Sequence, residues 1–222
     1  MSSGLRRTNY LATRWLARIT PPQSLISRVS NALAASGRLD EALGEMKKAL
    51  ELEPASLVMN TFMGATLYYA GRYDEAVDQC RRTVEMDSNF AVAHWHLGLA
   101  YEENQIFDAG IEEFKKAVFL SQGSPLMKAA LGHAYAMSHR VYEANEIVDE
   151  LNELSNRQYV SPLELAAIYT ALGNKQMAFQ CLEKAYTEHS FHLVNLMVSP
   201  RFKSFRSEPQ FQDLVQRIGL RR

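Results

Sequence analysis

The sequence has little of several features that would place it in a narrow class. Its 222 residues include only two cysteines, Cys80 and Cys181, with no CxxC pair, so a disulfide-stapled fold is not indicated. No apolar run reaches the roughly 18 residues that a membrane-spanning helix needs, and the N-terminus lacks the apolar stretch of a secretory signal. We therefore expect free thiols, no membrane span and a cytoplasmic protein.

Acidic residues are missing from the N-terminal part. The first 39 residues contain six arginines but no lysine, aspartate or glutamate. This composition fits a mitochondrial transit peptide, a basic arm for an acidic surface, or a partial helix of a longer parent. The arginines are widely spread and the rest of the chain is net acidic, which disfavours binding to nucleic acid or to a membrane surface. We assign 1–22 to a basic N-terminal segment whose role stays open.

Enzyme signatures are also missing. The sequence contains no GxxxxGK[ST], GxGxxG, HExxH or GxSxG motif, and we therefore predict no catalysis and no cofactor. The histidines of "HWH" at 94–96 lie two residues apart, so on a helix they point to different faces and do not indicate a metal site. Glu102 and Glu103 diverge by about 100° on a helix, and we interpret them as carboxylates on a solvated face.

What the sequence does contain is a repeat of 34 residues. Five six-residue stretches fall into one column without any insertion: "GRLDEA" (37–42), "GRYDEA" (71–76), "QIFDAG" (105–110), "HRVYEA" (139–144) and "GNKQMA" (173–178). The repeat divides residues 23–192 into units one to five: 23–56, 57–90, 91–124, 125–158 and 159–192. A fixed period of this length is typical of a solenoid built from stacked supersecondary units.

Each unit has the pattern of two helices joined by a turn. A small residue in the first half is followed three positions later by a large one, as two closely approaching helices require. The small residues are Ser30, Gly64, Gly98, Gly132 and Ala166. Glycines at 37, 71 and 173 are placed to end a first helix in the left-handed conformation. One such hairpin cannot bury its apolar face alone, so neighbouring units must stack.

These columns resemble the tetratricopeptide repeat family. The resemblance covers about three quarters of the chain and implies an all-α, right-handed superhelical solenoid of helix–turn–helix repeats. Units three and four depart from it at Gln105 and His139, which replace the turn glycine, and at Gly110, which replaces an alanine. These departures should change two turns without altering the architecture.

The repeat period ends after residue 192. The apolar positions Phe211, Leu214, Val215 and Ile218 predict an amphipathic helix, and we assign 193–222 to a C-terminal capping segment that covers unit five. Residues 159–220 also resemble the end of tetratricopeptide regions in bacterial multidomain signalling proteins, where such regions follow a kinase, a winged-helix regulator or a cyclase.

The resemblance implies that the first helices line a concave groove where a partner binds. The candidate groove residues combine an aromatic centre with an acidic edge; they are Asn31, Thr61, Tyr68, Tyr69, Trp95, Leu99, Glu102, Glu103, His133 and Met137. Tyrosine and tryptophan are common anchors of binding sites because they bury a large area at low entropic cost. Relatives that grip chaperone tails use basic clamp residues, but Ser27, Val92 and His96 occupy those positions here.

These observations leave two main hypotheses. We favour a protein–protein interaction scaffold that binds a peptide segment with apolar anchors and some positive charge. The alternative is a sensory or autoregulatory module of a larger signalling protein. A homodimer is left open, as is the identity of the partner.

Overall fold

The computed structural model describes residues 37–220, and all regular elements in that range are helical. The α-helices are α1 (Leu39–Leu52), α2 (Leu57–Tyr69), α3 (Tyr73–Met86), α4 (Ala91–Glu103), α5 (Phe107–Leu120), α6 (Pro125–Met137), α7 (Val141–Leu154), α8 (Pro162–Ala171), α9 (Lys175–Thr187) and α10 (Pro209–Ile218). Two 3-10 segments, Phe191–Asn195 and Pro200–Phe205, separate α9 from α10. The predicted all-α class is therefore confirmed. Over the described range, no helix is long and apolar enough to cross a membrane.

The turns inside the units share one backbone conformation. Gly71 and Gly173 have φ angles of 73° and 74°, the left-handed region that glycine adopts without a steric penalty. Gln105 and His139, which replace glycine in units three and four, have φ angles of 60° and 61°. The turn geometry is thus kept where the glycine is lost. For a residue with a side chain, this conformation is energetically less favourable.

Three of the first helices, α2, α6 and α8, begin with residues suited to a helix start. Pro125 and Pro162 occupy the first turns of α6 and α8, where the missing N–H would have had no partner within the helix. Ser56 caps α2, because its side chain accepts a hydrogen bond from the Met59 N–H at 3.4 Å.

The small-residue column marks close contacts between the two helices of a unit. A Cβ atom built on Gly98 would lie 2.7 Å from the Phe114 ring, and one on Gly132 would lie 2.7 Å from Ile147 Cγ2. Real Cβ atoms do not approach so closely, so these positions require glycine. The close approach predicted from the column is confirmed in units three and four.

The helices pack in two layers. The first helices α2, α4, α6 and α8 contact one another in succession, and each also packs against the second helix of its own unit. The buried apolar side chains form two clusters. One begins on α1 of unit one, runs through units two to four and ends on α8, and the other joins α8 and α9 to the C-terminal segment. Cys80 and Cys181 are free thiols.

Candidate functional site on the concave surface

Three glutamates of the first-helix layer form an acidic centre. Glu102 and Glu103 end α4, and Glu164 lies in the first turn of α8. Glu102 and Glu164 are each only 3% exposed, so neither is a solvated surface residue. The sequence-based interpretation of Glu102 as a carboxylate on a solvated face is therefore wrong. Buried carboxylates need compensating partners, and the two find different ones.

Glu102 is paired with a histidine from the next unit. His133 Nδ1 of α6 lies 2.6 Å from Glu102 Oε1, and both side chains are almost fully buried. Glu102 Oε2 has no hydrogen-bond partner among the described residues. The carboxylate therefore keeps one oxygen that could accept a further hydrogen bond.

Glu164 is paired with an arginine from the C-terminal segment. Arg201 Nη1 donates to Glu164 Oε2 at 2.8 Å, and Nη2 donates to Glu164 Oε1 at 3.2 Å. Burial alone would lower the pKa of Arg201, but the Glu164 charge and hydrogen bonds raise it above its usual value. Two parallel hydrogen bonds of this kind suit the planar guanidinium group. The C-terminal segment thus supplies a cation to the acidic centre.

Among the described residues, Glu103 has no ion pair like that of Glu164 with Arg201. Burial and the neighbouring Glu102 charge raise the pKa of Glu103 to about 6, although His133, Tyr73 and Arg201 oppose the rise. A raised carboxyl pKa means that the charged form is held less favourably than in water. The acidic centre can therefore accept additional positive charge.

Aromatic rings border the acidic centre on the side of unit two. The rings of Tyr68 and Tyr69 meet edge to face, with centroids 5.3 Å apart, and Tyr73 lies 6.0 Å from Tyr68. Tyr68 is buried, and burial raises the pKa of its hydroxyl well above the usual value. Its hydroxyl oxygen has no hydrogen-bond partner within residues 37–220. Tyr69 is partly exposed and contacts the same cavity as Arg201.

The remaining candidate residues take different environments. Trp95 is partly buried, with its ring 4.5 Å from that of His96. Thr61 is buried, and its hydroxyl donates to the Leu57 carbonyl oxygen at 2.8 Å. Leu99 is part of the apolar core, whereas Met137 is 40% exposed. Asn31 and the segment 1–22 lie outside the described residues.

Sequence reasoning missed two residues of this surface, Glu164 and Arg201. Glu164 is a single acid in the apolar stretch "PLELAAIY", and a lone charge in such a helix is a signal for a buried ionic contact. Arg201 follows Pro200 in "SPRFKSF", a segment outside the repeat, where no column indicates which side chain points inward.

The described histidines and carboxylates do not assemble into a metal site. In residues 37–220 no group of three histidine, cysteine, aspartate or glutamate side chains could hold a metal ion. His94, which "HWH" singled out, packs in unit three, with Nδ1 2.5 Å from Glu113 Oε2 and Nε2 2.9 Å from the Ser88 carbonyl oxygen.

Two stretches of the chain match models of a known protein family. Residues 63–125 and 163–188 each match a model described as tetratricopeptide repeat. No curated protein matches the sequence significantly.

Solved structures with the same fold come from bacteria and a fungus. TTC0263, a thermophilic TPR protein of Thermus thermophilus, is 17% identical with a TM-score of 0.63, over 82% of this chain and 99% of that one. MamA (41-end) from Desulfovibrio magneticus RS-1 is 26% identical with a TM-score of 0.55, over 69% and 90%. The Sgt2 TPR domain from Aspergillus fumigatus is 22% identical with a TM-score of 0.50, over 57% and 83%. These similarities confirm the predicted solenoid.

Proposed function

Because this chain is a member of the tetratricopeptide repeat family, a family of protein–protein interaction scaffolds, we propose that its concave surface binds a peptide segment of a partner protein and that the chain carries out no catalysis. The observation that carries this proposal is the acidic centre of Glu102, Glu103 and Glu164, next to Tyr68 and Tyr69. These residues come from three different units, so they meet only in the stacked array.

The negative charge and the tyrosine rings of this surface favour one class of partner. A positively charged side chain would lower the cost of keeping Glu103 ionised, since its raised pKa reflects burial beside a second carboxylate. The tyrosines offer broad apolar faces with polar tips, which suits an aromatic or aliphatic neighbour of that cation. An acidic chaperone tail would be repelled by the same glutamates. The proposed ligand is therefore a basic peptide with apolar anchors.

An autoregulatory role is the second candidate, and Arg201 favours it. Its contact with Glu164 is an intramolecular contact between the C-terminal segment and the first-helix layer. A module of a larger signalling protein could use the same surface to contact another part of that protein. In both cases the binding chemistry is the same, and only the origin of the ligand differs.

The test is a selection of ligands followed by affinity measurements. Peptides from a randomised display library are selected on the full chain and their binding is measured by fluorescence anisotropy. We expect the selected peptides to be enriched in arginine or lysine beside aromatic residues. The groove variant Tyr69→Ala/Glu103→Gln should bind them at least about tenfold more weakly, the loss expected when anchor contacts are removed.

A control variant separates the groove from the rest of the surface. Phe119→Ala/Tyr142→Ala removes two rings that are 83% and 74% exposed and that lie on second helices. Affinity should be unchanged in this variant. A loss of affinity confined to the control, or a selection that yields only acidic peptides, would contradict groove binding.

A further inference from the structure

The C-terminal segment packs on the first-helix layer beside the acidic centre. The 3-10 segment Pro200–Phe205 packs against α8, a first helix. Phe202 and Phe205 are 1% and 3% exposed and belong to the apolar cluster shared with α8 and α9. Arg201, which precedes Phe202 in the chain, reaches Glu164 through both Nη atoms.

The surroundings of Arg201 extend beyond unit five. The cavity around it is lined by residues of the C-terminal segment, by Leu163 and Glu164 of α8, and by Tyr69 of unit two. The charge of Arg201 also acts on Tyr68 and Glu103. Arg201 therefore is bonded to unit five, shares a cavity with unit two and acts through its charge on units two and three.

The surface as it stands has little free space. The cavity beside Arg201 has a volume of about 20 Å³, whereas sites for small ligands typically measure about 300–1,000 Å³. A peptide side chain can reach Glu164 only if Arg201 withdraws. Binding at this point and packing of the C-terminal segment are thus mutually exclusive.

We propose that residues 200–206 are an internal ligand of the concave groove, and that the partner displaces them with a segment in which an arginine is followed by an aromatic residue. This inference rests on the proposed function, since it names the chemistry of the ligand that the groove binds. The partner's guanidinium donates two hydrogen bonds to Glu164 in place of Arg201, and its aromatic ring replaces that of Phe202.

Helix α10 stays on the array while this exchange takes place. Helix α10 packs on α9 through Phe211 and Leu214 and through the ion pair of Arg217 with Glu183. Arg217 also lies over the Tyr186 ring, 4.8 Å from its centroid. Phe211 and Leu214 share their apolar cluster with Phe202 and Phe205, whereas the two contacts of Arg217 lie outside residues 200–206. Release of the segment therefore opens part of the cluster, while Arg217 still holds α10 on α9.

The internal ligand reduces the apparent affinity of the partner. Only the fraction of molecules with the segment released can bind, and the apparent Kd rises by the inverse of that fraction. A substitution that weakens the packing of residues 200–206 but keeps the three glutamates should therefore strengthen binding. Arg201→Gln is such a change, because it removes the guanidinium charge and keeps all three glutamates.

The test uses the full chain and a labelled peptide with the sequence of residues 198–207, "VSPRFKSFRS". We expect Arg201→Gln to bind this probe at least about tenfold more tightly than the unaltered chain. A probe in which the first arginine is replaced by glutamine should bind neither protein. Hydrogen exchange of the backbone amides of 199–206 should be faster in Arg201→Gln, which reports release of the segment.

Arg206→Gln is the matched control. Arg206 belongs to the same segment, but its Nη2 donates to the Ser199 carbonyl oxygen at 3.1 Å rather than to a glutamate. Its probe affinity should equal that of the unaltered chain. If Arg201→Gln does not fold, as judged by circular dichroism, Arg201→Lys keeps the charge but loses the paired hydrogen bonds, and a smaller gain in affinity is expected.

The outcomes separate this inference from the proposed function. Equal, arginine-dependent binding of the probe to the unaltered chain and to Arg201→Gln would overturn the internal ligand and leave groove binding intact. Unchanged amide exchange in Arg201→Gln would also overturn it. Faster exchange without any binding of either probe would instead overturn groove binding by a basic peptide.

Discussion

In the middle of the array the two helices of a unit meet at a glycine, whereas the C-terminal end is closed by a segment outside the repeat. Gly98 receives the Phe114 ring and Gly132 receives Ile147, each pair being a small residue against a large apolar one. The same arrangement recurs every 34 residues. Both of these glycine contacts are apolar and lie within one unit.

The C-terminal end of the array differs from the interior in its residue types, and its contacts join residues that lie far apart in the chain. Phe202, Phe205 and Phe211 cover α8 and α9, and a buried ion pair accompanies them. A buried ion pair contributes little net stability compared with apolar packing, but its loss on one side is costly. The comparison indicates that the interior supplies a uniform framework, while the end supplies the specific contacts.

Deletion of residues 200–222 should have the largest effect. It removes the aromatic side chains and α10 together, and it exposes Leu163 and Leu182, which are 4% and 0% exposed in the whole chain. Each large apolar side chain contributes about 1.5–3 kcal/mol when buried, so several such losses should unfold unit five and cause aggregation. Size-exclusion chromatography and thermal melting measure both effects. Deletion of 221–222 alone is the control, and a soluble truncation with an unchanged Tm would show that this segment is not a cap.

Gly98→Ala tests the interior contact. The new Cβ would lie within 2.7–2.9 Å of three atoms of the Phe114 ring, which is fully buried. Overpacking of this kind costs about 1–3 kcal/mol. Urea denaturation measures the free energy of unfolding. Gly44→Ala is the matched control, because Gly44 is a helical glycine where an added Cβ would meet nothing within 4 Å, and this variant should gain stability from the higher helix propensity of alanine.

The interior was predictable from the sequence because every unit repeats the same local contacts. Column arguments identified Gly98 as a close-contact position, and the turns at Gln105 and His139 kept their geometry although the glycine is absent. The internal repeat therefore carries redundant information about the hairpins.

The concave surface was only partly predictable. The sequence placed Glu102, Glu103 and His133 on first helices, but not the burial of Glu102 or its contact with His133. The pairing of Glu164 with Arg201 joins a repeat to a segment that has no counterpart elsewhere in the chain. Such a contact depends on how the end folds back, and periodicity contains no information about that.

Glu103→Gln tests the interior side of the acidic centre, whereas Glu164, at the side of the C-terminal segment, is held by Arg201. The pKa of Glu103 is raised from 4.5 to about 6 in the folded chain, so the folded state binds this proton more tightly than the unfolded state. Stability therefore falls as the pH rises from about 4.5 through about 6, by up to about 2 kcal/mol. At pH 7 the variant should be more stable than the unaltered chain, and below pH 4 the difference should vanish.

Urea denaturation between pH 4 and pH 8 measures this difference. Glu112→Gln is the control, since Glu112 is exposed and its Lys115 hydrogen bond lowers the pKa of its carboxyl. This control should not reproduce the stabilisation at pH 7. An unaltered chain whose stability rises between pH 4.5 and pH 6 relative to Glu103→Gln would contradict the assignment.

The two cysteines give the smallest and most local comparison. Cys80 is buried in unit two against Gly64, and burial raises the pKa of its thiol to about 12. Cys181 of unit five is partly buried. This burial raises the pKa of its thiol, and the charge of Lys184 opposes the rise. Because the thiolate is the reactive form, a thiol reagent at pH 8 should modify Cys181 first, and Cys80 only when the interior opens. Mass spectrometry of peptides after timed labelling measures both rates, with the urea-unfolded chain as the control in which they converge. Equal rates in the folded chain would mean that the interior opens as readily as the end, and the contrast between a uniform framework and a separately closed terminus would then fail.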